Sequence, residues 1–204
     1  MKEIPILLNG DNVRAILEGR KTQIRKPIKH DAHADCPYWD KKGIAVKSPF
    51  GKPGDLLWVR ETAKYRRWGG LWSEDSPRAE AEITYCADGA REWRILCREL
   101  QDEFVSGKRP SIHMPYWASR ISLRVKSVRI ERVQDITEDN LKAEGMESVR
   151  AYFKNFSDFD ETLSDRSLFE IIWDATYARR SFVWSANPWV WVAEFDLAES
   201  EVQS

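Results

Sequence analysis

Disulfide chemistry is nearly absent from this chain: 204 residues carry three cysteines, Cys36, Cys86 and Cys97, an odd number without a paired framework. That excludes a disulfide-stapled secreted scaffold and predicts a reducing, cytoplasmic setting. Long apolar runs are missing too. No stretch approaches the ~20 residues of a membrane span, and the opening run to Leu8 is too short for a signal peptide, so no membrane partner is expected. Charge of one sign is not in excess, with 32 Lys and Arg against 33 Asp and Glu. Affinity for nucleic acid must therefore come from a local patch. No repeat, low-complexity tract, phosphate-cradling glycine loop or Ser/His/Asp order is present. His30, His33 and Cys36 have the spacing of half a zinc site. Neither Cys86 nor Cys97 offers a second tight ligand pair, so no metal and no cofactor are expected.

What the chain has in quantity is tryptophan, ten residues of it. Indole rings serve as stacking platforms for bases, but they also fill cores. Trp173, Trp189 and Trp191 lie on regular apolar patterns and read as core.

The length suits one domain with an insertion. A strand to Leu8 precedes a short helix capped by Asp11, bearing Val13, Ile16 and Leu17 and stopped by Gly19. The basic segment after it, Arg20, Lys21, Arg25, Lys26 and Lys29, contains Pro27 and should be extended or a turn. Gly54-Asp55 turns into a strand over Leu56 to Thr62. Residues at about 65–109 lack a clear period and read as the insertion, with a hairpin formed by Ala81 to Tyr85 and Glu92 to Leu96. Ile121, Leu123 and Val125 alternate with polar residues, and the apolar phase then shifts to Val128 and Ile130. That shift predicts a long strand with a bulge near Lys126-Ser127. Thr137 caps a helix ended by Gly145. A second helix, Asp165 to Tyr177, should bury Leu168, Ile171, Ile172 and Ala175. A last strand runs from Trp189 to Asp196. Short strands with helices at their ends predict an α+β fold around a small barrel.

The stretch Ile16-Leu17-Glu18-Gly19-Arg20-Lys21-Thr22-Gln23-Ile24-Arg25 resembles the Gly-x-Lys signature of the ASCH family. Three landmarks agree in order: Pro53-Gly54-Asp55 before a strand, the helix Thr137 to Met146 with Glu144 near its end, and the closing strand Val190 to Phe195. His113-Met114-Pro115, Trp117-Ala118-Ser119-Arg120 and Asn187-Pro188-Trp189 resemble the larger, phage-borne branch of the family. The resemblance covers about the first 62 and last 90 residues. It implies a PUA-like β-barrel over 1–204, a bacterial host cell, and a cleft for RNA or a modified nucleoside. Some small bacterial members hydrolyse the amide of acetylated cytidine.

In that frame Lys21 would be a general base oriented by Glu144 across the cleft. The small amidohydrolases carry a nucleophilic Thr three places after the Lys, where this chain has Ile24. Thr22 or water would have to attack instead, and Thr22 lies ~6.6 Å away along an extended segment. Either Arg25 or Lys26 fills the family's basic position. Arg60, Ser119 and Arg120 are expected to line the cleft, with Trp58, Tyr116 and Trp117 stacking on a base. Lys108, Arg109, Arg120, Arg124, Lys126, Arg129 and Arg132 face only Glu131 in their span and could track a phosphate backbone or serve solubility. The expected functions are therefore RNA or nucleoside binding, metal-independent amide hydrolysis, or a phage protein that binds a host factor.

Overall fold

The computed structural model describes residues 1–28, 47–68, 79–96 and 106–198. In chain order its elements begin with β1 (Glu3–Leu7), α1 (Gly10–Leu17), β2 (Gln23–Pro27) and β3 (Leu56–Arg60). The strands β4 (Ala63–Trp68), β5 (Ala79–Tyr85), β6 (Arg91–Leu96) and β7 (Gly107–Arg109) follow. The chain continues with β8 (Ser122–Arg132), α2 (Glu138–Ala143), α3 (Met146–Phe153), α4 (Asp165–Tyr177) and β9 (Trp189–Leu197). This is a mixed α/β protein with two sheets, ordered β1-β3-β8-β9-β2 and β6-β5-β4-β7. Both orders are linear. Closure needs the outer strands to pair, and β1 and β2 do not, so the expected closed barrel is not formed among the described residues. No helix among them is long and apolar enough to cross a membrane.

Contacts divide the chain into two compact units, the first comprising Met1–Ile4, Ala15–Leu57 and Leu123–Ala198, the second chiefly Pro5–Arg14 and Trp58–Ser122. In the first, β9 pairs antiparallel with β2 on one side and β8 on the other. The phase shift in the sequence is a real bulge, because the β8–β9 register slips between Val125 and Ser127. A one-residue slip exchanges the two faces of a strand. Beyond it Val128 and Ile130 stand opposite Ala193 and Trp191 on the apolar face, while Ser127, Arg129 and Glu131 share a face with Glu194, Val192 and Val190.

Val190 and Val192 are buried with Leu141 of α2, Met146 of α3, and Leu168, Phe169 and Trp173 of α4. The α4 stripe differs from the expected one: Ile171 is half exposed and Ala175 exposed, whereas Phe169 and Trp173 point inward. Aromatic bulk decides the rotation, since Trp173 also donates its indole N–H to the Phe182 carbonyl at 2.7 Å. Trp191 is buried, as expected, and Trp189 is half-buried under the Arg132 guanidinium, 4.1 Å from its ring centre. The α2 cap is Thr137, whose hydroxyl accepts from the Asn140 N–H at 3.2 Å. Thr137→Ala should lower stability by about 1 kcal/mol, measured by urea unfolding; no shift in midpoint would show that the cap is redundant. On α1 the cap is Asn9, not the expected Asp11, because the Asn9 carboxamide oxygen accepts from the Asn12 N–H at 2.9 Å.

The Pro53-Gly54-Asp55 landmark acquires a structural role. The Asp55 carboxylate accepts backbone N–H bonds from Lys2 at 2.8 Å and Lys52 at 3.1 Å. Those bonds hold its pKa below the usual 3.8.

In the second unit β4, β5, β6 and β7 pair antiparallel. The expected hairpin is β5–β6, with Ala81 opposite Arg94 and Ile83 opposite Glu92. Ala63, Tyr65, Ile83 and Tyr85 form its buried face together with Met114 and Ala118.

Candidate functional site

The first unit assembles Lys21, Arg25 and Glu144. Lys21 follows α1, its backbone N–H held by the Ala15 carbonyl at 3.0 Å. Glu144 closes α2, and Gly145 after it takes the left-handed conformation with φ 83°. A Cβ there would stand 3.2 Å from the Lys21 Cβ. Glycine thus serves twice, as the helix stop and as the gap that lets Lys21 approach. The Lys21 ammonium donates to Glu144 Oε2 at 2.7 Å and to the Glu144 carbonyl at 2.8 Å. Arg25 donates to Glu144 Oε1 at 2.7 Å and to Glu131 Oε1 at 2.6 Å.

The network continues through Arg129, which bonds Glu131 at 2.9 Å, Glu194 at 2.5 Å, Gln23 Oε1 at 3.1 Å and Asn140 Oδ1 at 2.9 Å. Register explains the assembly. Gln23, Glu194 and Ser127 form one cross-strand row, and Arg25, Val192 and Arg129 the next on the same face. Three cations, Lys21, Arg25 and Arg129, thereby meet three carboxylates, Glu144, Glu131 and Glu194. Burial pushes the Glu194 carboxyl upward, but bonds from Ser127 and Arg129 and the charge of Arg129 outweigh it, leaving its pKa below the usual 4.5.

Beside this network lies an open groove of about 330 Å³, lined by Thr22, Gln23, Asn140, Ala143, Glu194 and Phe195 together with Lys126, Asp139 and Asp196. Thr22 is pinned by its backbone, donating to the Ala143 carbonyl and accepting from the Phe195 N–H, each at 2.9 Å. Its side chain is exposed, whereas Lys21 is buried on the network side and does not line the groove. Ile24 is buried in β2 opposite Ala193. Gln23 is 1% exposed, and its Nε2 has no hydrogen-bond partner among the described residues. The orientation of this amide is determined by Arg129, a donor that requires the carboxamide oxygen to face it. An unsatisfied buried donor carries a desolvation cost that an acceptor reaching it would offset.

The other expected site residues are placed differently. Lys26 lies over the Phe50 ring, 5.3 Å from its centre. Trp58, Arg60, Tyr116, Trp117, Ser119 and Arg120 belong to the second unit. There Trp58 meets Tyr116 edge-on at 5.3 Å and Trp117 meets Tyr65 at 6.1 Å. Arg60 sits 5.5 Å from the Trp58 ring and donates to the Ile112 carbonyl. The Ser119 hydroxyl donates to the Val59 carbonyl at 2.8 Å. Arg120 forks onto Glu61 at 2.8 and 3.0 Å and onto Asp88 at 2.9 and 3.0 Å.

Within the basic run Arg120, Lys126 and Arg129 have carboxylate partners. Those partners are Glu61, Asp196 and Glu194, remote in sequence, and only pairing across the sheets brings them in. Gln23, Asn140 and Glu194 were not singled out by sequence reasoning. The signal that could have found them is the bulge, which sets the register opposite Glu194. His30, His33, Cys36 and Cys97 lie outside the described residues, and among those described no group of three or more His, Cys, Asp or Glu is placed to hold a metal. Comparison with protein-family models, with curated proteins and with solved structures finds no match for this chain.

Proposed function

We propose that the chain is an ASCH-type, PUA-related protein of bacterial or phage setting whose first unit binds a modified nucleoside in the groove beside Gln23. The observation that supports this is the buried Gln23 Nε2, which has no hydrogen-bond partner among the described residues and lies beside an open groove. A base carbonyl or acyl oxygen is an acceptor that would satisfy it. Charge favours a nucleoside over an RNA strand. The groove carries Lys126 against Asp139, Glu194 and Asp196, a balance that repels phosphate and suits neutral or amine-bearing ligands.

Binding is favoured over hydrolysis. Thr22 is the hydroxyl in the groove, yet among the described residues no hydrogen bond joins it to a base, and Lys21 Nζ is turned to Glu144. A nucleophile without a base in reach lacks the arrangement that acyl transfer requires.

Calorimetric titration with N4-acetylcytidine, cytidine and cytidine monophosphate tests the reading. Both nucleosides should bind more tightly than the monophosphate. Gln23→Met, which keeps volume but removes the donor together with the oxygen that accepts from Arg129, should weaken nucleoside binding about tenfold. Nucleoside mass spectrometry should recover the acetylated compound unchanged. Tighter binding of the monophosphate, or an indifferent Gln23→Met, would reject the groove. Turnover lost in Lys21→Ala would establish the amidohydrolase instead.

A further inference from the structure

The second unit presents a surface that the groove does not use. Directly opposite residues of paired strands share a face, and β7, β4, β5 and β6 align Lys108, Lys64, Thr84 and Arg91 in one row. One pleat along, Arg66, Glu82 and Trp93 form the next, and Glu80 pairs with Ile95 beyond. The intervening residues Tyr65, Ile83 and Tyr85 point into the core. Most of this outer face is exposed, although Glu82 at its middle is buried beneath its neighbours. Lys64, Arg66 and Lys108 are exposed, Trp93 is 50% exposed and Ile95 67%.

Among the described residues four cations thus share this face with an exposed indole on its β6 edge, against two carboxylates, of which Glu82 is bonded to Arg91 at 3.3 Å. We infer that this sheet face binds single-stranded nucleic acid, Trp93 stacking on a base while Lys64, Arg66 and Lys108 follow the phosphates. The row spans three strand spacings, about 14 Å, a width over which a backbone can lie across the strands. Cations beside an aromatic platform are the means by which single strands are held without sequence preference. A protein partner is less suited, because lysine is depleted from protein interfaces. A membrane is less suited as well, since Trp93 and Ile95 share the plane with Glu80 and Glu82 and form no apolar stripe. None of these residues belongs to the groove of the first unit, so the two sites stand or fall separately.

Fluorescence anisotropy with a labelled oligouridylate, at salt from roughly 50 to 200 mM, tests the inference on the full chain. Trp93→Ala should weaken binding about tenfold. Lys64→Gln with Lys108→Gln should flatten the salt slope by about 1.4, or ~0.7 for each phosphate no longer neutralised. Gln23→Met should leave both unchanged. All three substituted side chains are exposed, so loss of folding is not expected to obscure the result. Wild-type protein that does not bind the oligonucleotide, or binding indifferent to Trp93 and to both lysines, would overturn the inference. So would binding to phosphatidylserine vesicles through the same residues without binding to oligouridylate.

Discussion

Glu144→Ala is expected to destabilise the first unit by about 3–5 kcal/mol, because it leaves the Lys21 ammonium and the Arg25 guanidinium buried without their shared carboxylate. The side chains of Lys21, Arg25 and Glu144 are only 4%, 1% and 6% exposed, so water cannot replace the lost partner. The same arithmetic gives a second arm. Replacing Lys21, Arg25 and Glu144 together by apolar residues of similar volume should recover most of the loss, since paired buried charges recover little more than their desolvation cost. Urea unfolding of the single and triple variants measures both. A single-variant loss below about 1 kcal/mol would show that the cluster is hydrated in solution.

Arg120→Ala should have a comparable effect in the second unit, about 3–5 kcal/mol near neutral pH, and the size should depend on pH. Glu61 is 2% exposed. Burial pushes its carboxyl above the usual 4.5, and the Arg120 bonds and charge pull it partly back. A raised carboxylate binds protons more readily folded than unfolded, so its contribution falls as pH rises from 4.5 through the folded value. Without Arg120 that rise is larger and the window extends upward.

Asp88 acts in the same sense. Burial pushes it up, but the Arg120 and Ala90 bonds leave it below 3.8 in the intact protein, which supplies stability above that pH that the variant lacks. The destabilisation by Arg120→Ala should therefore be smallest in acid and grow toward neutrality, followed by urea midpoints across that range. Arg120→Lys should restore little, because an ammonium cannot fork onto both carboxylates as the guanidinium does. A pH-independent loss would mean that Glu61 stays solvated.

Local signals are legible where a short segment decides its own conformation. The Thr137 cap, the Gly145 stop, the β5–β6 hairpin and the bulge at Lys126 all appear where residue type and periodicity place them. The reach of Lys21 toward Glu144 is expected from the ASCH resemblance, not from spacing. The rotation of α4 is not legible, since Ile171 and Phe169 are equally apolar in a helical pattern and only the packing against Val190 and Val192 selects between them.

The near-neutral charge, the helices α1, α2 and α4, the β5–β6 hairpin and the bulge that exchanges the faces of β8 follow from the sequence alone, whereas β4, β7 and α3 are not signalled by it. Which charges pair is set by the folded chain. Arg120 finds Glu61 and Asp88, Arg129 finds Glu131 and Glu194, and Gln23 accepts from Arg129 at its oxygen while its Nε2 has no partner among the described residues. A strand's pleat is a local property of two residues. An ion pair depends on register between strands far apart in the chain, as for Arg25 and Glu131, which are 106 residues apart, and that distance carries no trace in the composition or period of either strand.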